Sequence, residues 1–143
     1  MKKIFILAAA LVIGTSSFAA DPTQKVLEAF NKTFNNAKDV TWNEIDDTYE
    51  ANFSHNDVSL RVLYDGEGNI LKSIRYYKAQ GLPIFLQARL AKKYEGKKIF
   101  GVTETTSAED LNYYIILEDA ENWIHVQSDA YGNMSIAKKL KKA

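Results

Sequence analysis

The chain has 143 residues, no Cys, and equal numbers of basic and acidic side chains, 18 of each. This length fits one domain or two small units that share a core. The balanced charge excludes a protein whose whole surface attracts nucleic acid, and the absence of Cys excludes a fold held together by disulfides. An apolar core must therefore supply the stability.

Residues 1–19 have the features of a secretory signal peptide. Lys2 and Lys3 precede an apolar run, and Ser17-Phe18-Ala19 fits the small-x-small pattern required for signal peptide cleavage. The apolar run is too short to span a membrane. We therefore expect cleavage after Ala19 and a periplasmic or secreted mature chain with no stable membrane insertion.

The first part of the mature chain predicts one helix followed by four strands. Asp21-Pro22 suits a helix start, and the apolar residues after it fall on one helical stripe. From Val40 onward the apolar spacing changes to two, which is typical of strands with one buried face. The four runs contain Val40 and Trp42; Tyr49, Ala51 and Phe53; Leu60, Val62 and Tyr64; and Ile70, Ile74 and Tyr76.

The second part of the chain has the same order of predicted elements. Gly81-Leu82-Pro83 opens a helix that carries Leu86, Leu90 and Tyr94, and Gly96 can end it. Four more strands are expected at about residues 99–105, 111–118, 122–128 and 133–140.

Two turns of the same composition lie within these patterns. Asp65 is followed by Gly68-Asn69, and Asp129 is followed by Gly132-Asn133. Gly at these positions supplies the positive φ that a reversing chain needs, so each turn predicts a hairpin. Apolar positions around both turns recur at a constant spacing, which indicates duplication. The sequence therefore predicts an α+β tandem repeat, each unit a helix plus a four-stranded antiparallel sheet with one open face, over residues 20–80 and 81–143.

The core and turn residues resemble a family of exported bacterial proteins. The pattern consists of Phe30 with Phe34, Val40-x-Trp42, Tyr49-Glu50-Ala51-x-Phe53, and Val62-x-Tyr64-Asp65-x-x-Gly68. It is similar to that of the PepSY-like, β-lactamase-inhibitor-like proteins of bacterial envelopes. The resemblance implies a tandem α+β protein that binds another protein through the open face of its sheet. No loop of this sequence can be matched residue by residue to an inhibitory loop of the family, so the resemblance assigns no inhibitory site.

Catalytic and metal-binding patterns are missing from the sequence. His55 and His125 have no HExxH motif and no Cys to complete a zinc set. Asp65, Glu67 and Asn69 begin like an EF-hand loop, but Ile70 stands where that loop needs Gly. The remaining carboxylates cluster near turns, where solvation explains them. We expect no catalytic residue, no metal site and no cofactor.

The open sheet face is the candidate binding site. Alternation places aromatic, aliphatic and cationic side chains on this face if the core positions Leu60, Val62, Tyr113, Ile115, Ile124 and Val126 point toward the helices. These side-chain types are enriched in binding hot spots. The candidate residues are Arg61, Leu63, Tyr114, Ile116, Trp123 and His125, joined by Arg75 and Tyr77 if Ile74 and Tyr76 are buried. A loop, or a second chain in a homodimer, could instead cover this face.

Two classes of function remain open from sequence. The first is a non-enzymatic binding or inhibitor-like module that contacts an envelope protein or peptide through the open face, with no role for nucleic acid. The second is a small-ligand carrier, or an enzyme, with a cavity between helices and sheet. We favour the first because the polar residues lie near turns and form no reactive set.

Overall fold

The computed structural model describes residues 18–143, so the apolar run of the predicted signal peptide lies outside the described residues. Helix α1 spans Gln24–Thr33 and helix α2 spans Ile84–Lys93. The Thr23 hydroxyl caps α1, accepting a hydrogen bond from the Val26 amide at 3.3 Å and donating one to the Gly66 carbonyl at 3.0 Å. Thr23, rather than Asp21, therefore begins this helix.

Within residues 18–143, nine strands follow one another in the chain and in space. A short 3-10 helix, Ala79–Gly81, precedes α2. The strands are β1 Phe18–Ala19, β2 Lys38–Ile45, β3 Thr48–His55, β4 Val58–Tyr64, β5 Ile70–Tyr77, β6 Lys98–Ser107, β7 Leu111–Glu118, β8 Asn122–Asp129 and β9 Met134–Lys141.

All of these strands belong to one antiparallel sheet in the order β1 to β9. Strands β5 and β6 pair along six positions, from Lys72 opposite Ser107 to Tyr77 opposite Val102. The predicted division into two units, each a helix plus a four-stranded sheet, is therefore wrong, although the α+β class stands. The physical reason is that two separate sheets would leave the hydrogen-bonding edges of β5 and β6 unpaired. The predicted boundary between residues 80 and 81 stays a prediction.

The sheet has one covered and one uncovered face. We call the side that packs on α1 and α2 the helix face and the other side the open face. Helix α1 covers a core that contains Ala51, Phe53, Val62 and Tyr64, and α2 covers a core that contains Val102, Tyr113, Ile115, Leu117, Ile124 and Val126. Every buried strand residue between positions 19 and 143 lies on the helix face. The predicted core positions of β4, β7 and β8 are confirmed.

The two hairpin turns form as predicted. Asp65 accepts hydrogen bonds from the Glu67 and Asn69 amides, both at 2.9 Å, and Asp129 accepts the same pair from Tyr131 and Asn133. Gly68 has φ 87°, and a Cβ there would lie 2.8 Å from the Lys25 carbonyl oxygen. Gly is therefore required both for the turn and for the close approach of α1.

Within residues 18–143, neither helix combines the length and the hydrophobicity that crossing a membrane requires.

Candidate functional site

The sheet register places six of the eight predicted site residues on the open face. Residues directly opposite each other in an antiparallel pair share a face. Arg61 lies opposite Ile74 and Leu63 opposite Lys72, while Ile116 lies opposite His125. The open face therefore contains Arg61, Leu63, Tyr114, Ile116, Trp123 and His125.

Arg75 and Tyr77 lie on the helix face. Arg75 is opposite Leu60, and Tyr77 is opposite the buried Val102. Ile74 and Tyr76 take the open-face positions instead, and Tyr76 is exposed. The sequence of β5 contains bulky residues in both alternations, so hydrophobicity alone could not decide which set faces the helices.

Trp123 is the centre of an aromatic and cationic group on the open face. Its ring lies edge-on to Phe100, with centroids 4.8 Å apart. The Lys142 ammonium lies 4.5 Å from the centroid of the Trp123 ring and bonds Glu118 at 2.9 Å. This arrangement combines a large apolar surface with a charge placed to interact with the indole.

Phe100 belongs to this group but was missed by sequence reasoning. It lies within the predicted strand at residues 99–105 and in the same alternation as Val102, which is buried. A β-bulge between Ile99 and Gly101 shifts the register of β6, so Ile99 packs on the core while Phe100 meets Trp123. Gly101 at this bulge is the available sequence signal, since an isolated Gly inside a strand often marks one.

Tyr114 and His125 form a second contact on the open face. The Tyr114 hydroxyl and His125 Nδ1 are 2.8 Å apart, and the two rings meet at 70°. Both residues are half-buried by their neighbours. A groove of about 450 Å³ opens beside Tyr114, with Thr105, Asn112, Gln127 and Ser135 among its lining residues. The hydrogen bond holds the phenol ring in a defined orientation.

Arg61 lies on the other half of the open face with polar neighbours. Its Nε atom donates to Asn52 at 3.0 Å and lies 3.7 Å from a Glu50 carboxylate oxygen. A shallow groove of about 250 Å³ runs beside it, lined in part by Ile45, Leu63, Lys72 and Ile74.

The helix face carries one polar cluster between the two cores. The Tyr77 hydroxyl donates to Glu104 at 2.6 Å, and Arg75 bonds the other oxygen of that carboxylate at 3.2 Å. Burial, and next the Glu104 hydrogen bond, raise the pKa of Tyr77 well above its usual value. Tyr77 therefore stays protonated as a donor, and these groups satisfy one another.

A groove of about 310 Å³ adjoins this cluster, lined by residues that include Phe34, His55, Leu60, Ser73 and Arg75. Across the described part of the chain, no group of His, Cys, Asp and Glu side chains converges as metal ligands would. His55 lies edge-on to the Phe34 ring, 5.6 Å from its centroid, whereas His125 is on the opposite face of the sheet. The structure does not bring the two His residues together.

Comparison with known proteins identifies relatives by fold and not by sequence. No protein family profile matches the chain, and no curated protein sequence does. Solved structures match well over most of their length. A predicted periplasmic protein from Bacteroides eggerthii has 14% identity and a TM-score of 0.61, with 85% of this chain and 90% of that chain covered.

Two further solved structures match this chain in fold. A "BLIP-like" protein from Bacteroides fragilis has 15% identity and a TM-score of 0.61, covering 85% of this chain and 87% of its own. A DUF2874 family protein from Bacteroides ovatus has 17% identity and a TM-score of 0.61, covering 85% and 89%. The chain therefore shares the fold of BLIP-like and DUF2874 proteins, while the PepSY part of the sequence resemblance stays a prediction.

Proposed function

We propose that this protein is an exported, non-enzymatic binding module that contacts an envelope protein or peptide through the open face of its sheet. The observation that carries the proposal is the chemistry of that uncovered face. Trp123, Phe100, Tyr114 and Ile116 lie on this face with Lys142 over the indole, and Arg61 lies on its other half, whereas solvent-facing strand positions are usually polar.

The size of the face supports this function. Eight long strands spaced about 4.8 Å apart, each roughly eight residues long, give a face of roughly 900 Å². A standard protein interface buries about 800 Å² on each partner. One face of this sheet is therefore large enough for a specific interaction without any contribution from the helices.

The fold relatives support export and binding in general terms. One relative is predicted to be periplasmic and another is described as BLIP-like, and both share the fold at a TM-score of 0.61. The signal-peptide pattern at residues 1–19 points to the same compartment. The alternative of an enzyme or small-ligand carrier has weaker support, because Arg75, Glu104 and Tyr77 bond each other beside the helix-side groove.

Affinity capture from an envelope extract tests the proposal. The mature protein serves as bait beside the variants Trp123→Ala and Tyr114→Ala, and bound proteins are identified by mass spectrometry. We expect one partner that the native bait retains and both variants lose, with thermal unfolding nearly unchanged. Phe85→Ala, which removes an exposed aromatic residue from α2, is the matched control and should retain the partner.

Equal capture by all four baits would contradict the proposal. A captured partner that is the protein itself would show that the open face is a homodimer interface. Sedimentation velocity distinguishes this outcome, because Trp123→Ala would then convert a dimer to a monomer.

A further inference from the structure

The outer surface of α2 differs in chemistry from the outer surface of α1. Each helix buries two residues four apart, Val26 and Phe30 in α1 and Leu86 and Leu90 in α2. Around the first pair, the exposed positions are Gln24, Lys25, Glu28, Asn31 and Lys32. The same positions around the second pair are Ile84, Phe85, Ala88, Ala91 and Lys92. One helix therefore presents a polar surface to solvent, whereas the other presents four apolar residues together with the exposed cations Arg89, Lys92 and Lys93.

The exposure of the α2 residues is large. Ile84 is 84% exposed and Phe85 is 46% exposed. Neither residue stabilises the core to a degree that explains its hydrophobicity, because Leu86 and Leu90 make the core contacts of this helix. Contiguous exposed apolar residues of this kind indicate an interaction surface.

The turn beside each helix shows the same difference. Lys25 of α1 forms an ion pair with Glu67 in the β4–β5 turn. Beside α2, Arg89 donates to the Tyr131 carbonyl at 2.8 Å and its guanidinium lies 5.9 Å from the Phe85 ring centroid. Tyr131 is 80% exposed. We call Ile84, Phe85, Ala88, Ala91 and Tyr131 the α2 patch.

Cations without acidic partners surround this patch. From Ile84 to Lys93 the helix contains no acidic residue, and Arg89 and Lys93 bond only backbone carbonyls. A groove of about 390 Å³ lies between α2 and β9 and is lined by Arg89, Lys92, Lys93, Gly132 and Met134. The three cations of this groove, Arg89, Lys92 and Lys93, form no ion pair within residues 18–143.

We propose that the α2 patch docks on the surface of an anionic lipid bilayer. Protruding Ile, Phe and Tyr side chains insert between lipid headgroups, while Lys and Arg at the rim contact phosphates. The groove with an apolar Met134 wall and three cations suits a single anionic headgroup and the start of its acyl chain. A second copy of this chain fits less well, because the same cations would face each other.

Docking through the α2 patch would leave the open face accessible. Helix α2 packs on the helix face, whereas Trp123 and Tyr114 lie on the opposite side of the sheet. A protein docked through α2 therefore keeps its open face directed away from the bilayer and free for a partner.

Vesicle co-sedimentation of the mature chain tests the proposal. The probes are vesicles of phosphatidylcholine alone and vesicles of equal parts phosphatidylcholine and phosphatidylglycerol. We expect binding to the anionic vesicles only, weakened by salt because the cations are exposed. The double variant Ile84→Gln/Phe85→Gln should bind at least about tenfold more weakly, since two apolar side chains no longer leave water.

Two control variants test whether vesicle binding is specific to the α2 patch. Ile70→Gln changes a 49% exposed residue on β5 and should bind like the native protein. Trp123→Ala should also keep vesicle binding. A result against lipid docking through the α2 patch can therefore be distinguished from a result against partner binding through the open face. The proposal is overturned if anionic vesicles do not bind the protein at low salt, if the double variant binds unchanged, or if the patch instead mediates self-association in sedimentation velocity.

Discussion

The two faces of this sheet are built from alternate residues of the same strands, yet they differ in burial. On β7, Ile115 is fully buried against α2, while the adjacent and identical Ile116 is half-buried on the open face. The position of the helices, and not the hydrophobicity of the residue, decides which isoleucine belongs to the core. The difference shows that an apolar strand position can either pack against a helix or remain on an uncovered face.

The largest expected effect is the difference in unfolding free energy between substitutions at these two isoleucines. Ile115→Ala should lower the free energy of unfolding by about 2–5 kcal/mol, because it leaves a cavity in a core that cannot collapse fully. Ile116→Ala should cost about 1 kcal/mol or less, since its side chain is already half in water. Urea denaturation of both variants measures the difference, and equal losses would contradict the assignment of the two faces.

The polar cluster on the helix face predicts a smaller loss. Tyr77→Phe removes the hydroxyl that donates to Glu104 at 2.6 Å and leaves one carboxylate oxygen without that donor. A hydrogen bond to a charged group stabilises a protein by about 1.5–3 kcal/mol, and we expect a loss in the lower part of this range because the cluster is half-buried. Chemical denaturation checks it. Tyr76→Phe, on the open face, is the matched control and should change the free energy of unfolding little.

Removal of the Tyr64 hydroxyl should raise the stability of the protein instead of lowering it. Its hydroxyl is buried on the helix face with no hydrogen-bond partner within residues 18–143, and burial raises the pKa of Tyr64 to about 12. An unsatisfied buried hydroxyl costs free energy, so Tyr64→Phe should raise stability by about 1 kcal/mol. A loss as large as that of Tyr77→Phe would show that the hydroxyl has a partner in solution.

The smallest effect concerns the β7–β8 turn, which belongs to neither face. The hydrogen bond from Lys97 at 2.5 Å, then the backbone amide of Glu121, hold the pKa of Asp119 well below its usual value. A depressed folded pKa contributes stability that is present above the ordinary carboxyl range, about pH 4, and is lost as the pH falls through the folded value.

Asp119→Asn should therefore be less stable than the native protein at pH 7, and the difference should shrink as the pH falls from about 4 toward about 2. Thermal unfolding of both proteins across this range measures it. A difference that grows on acidification would contradict the assignment of the ion pair.

The sequence predicted the pieces of the fold well because they depend on local physics. Apolar spacing located both helices and the eight long strands, and the Asp-x-x-Gly-Asn turns located two hairpins, since Gly and Asp act on the backbone within a few residues. The predicted open-face residues on β4, β7 and β8 are confirmed in position because their strands alternate without interruption. Their role in binding stays a prediction.

What only the tertiary structure decided depends on partners distant in the chain. The pairing of β5 with β6 turned two expected sheets into one, because unpaired strand edges are satisfied by whichever edge lies next to them. The helices decided the inward alternation of β5, placing Arg75 and Tyr77 on the helix face, and a bulge in β6 moved Phe100 beside Trp123. Local pattern thus determined which residues form strands, while long-range packing determined which side of each strand meets the core and which side stays uncovered.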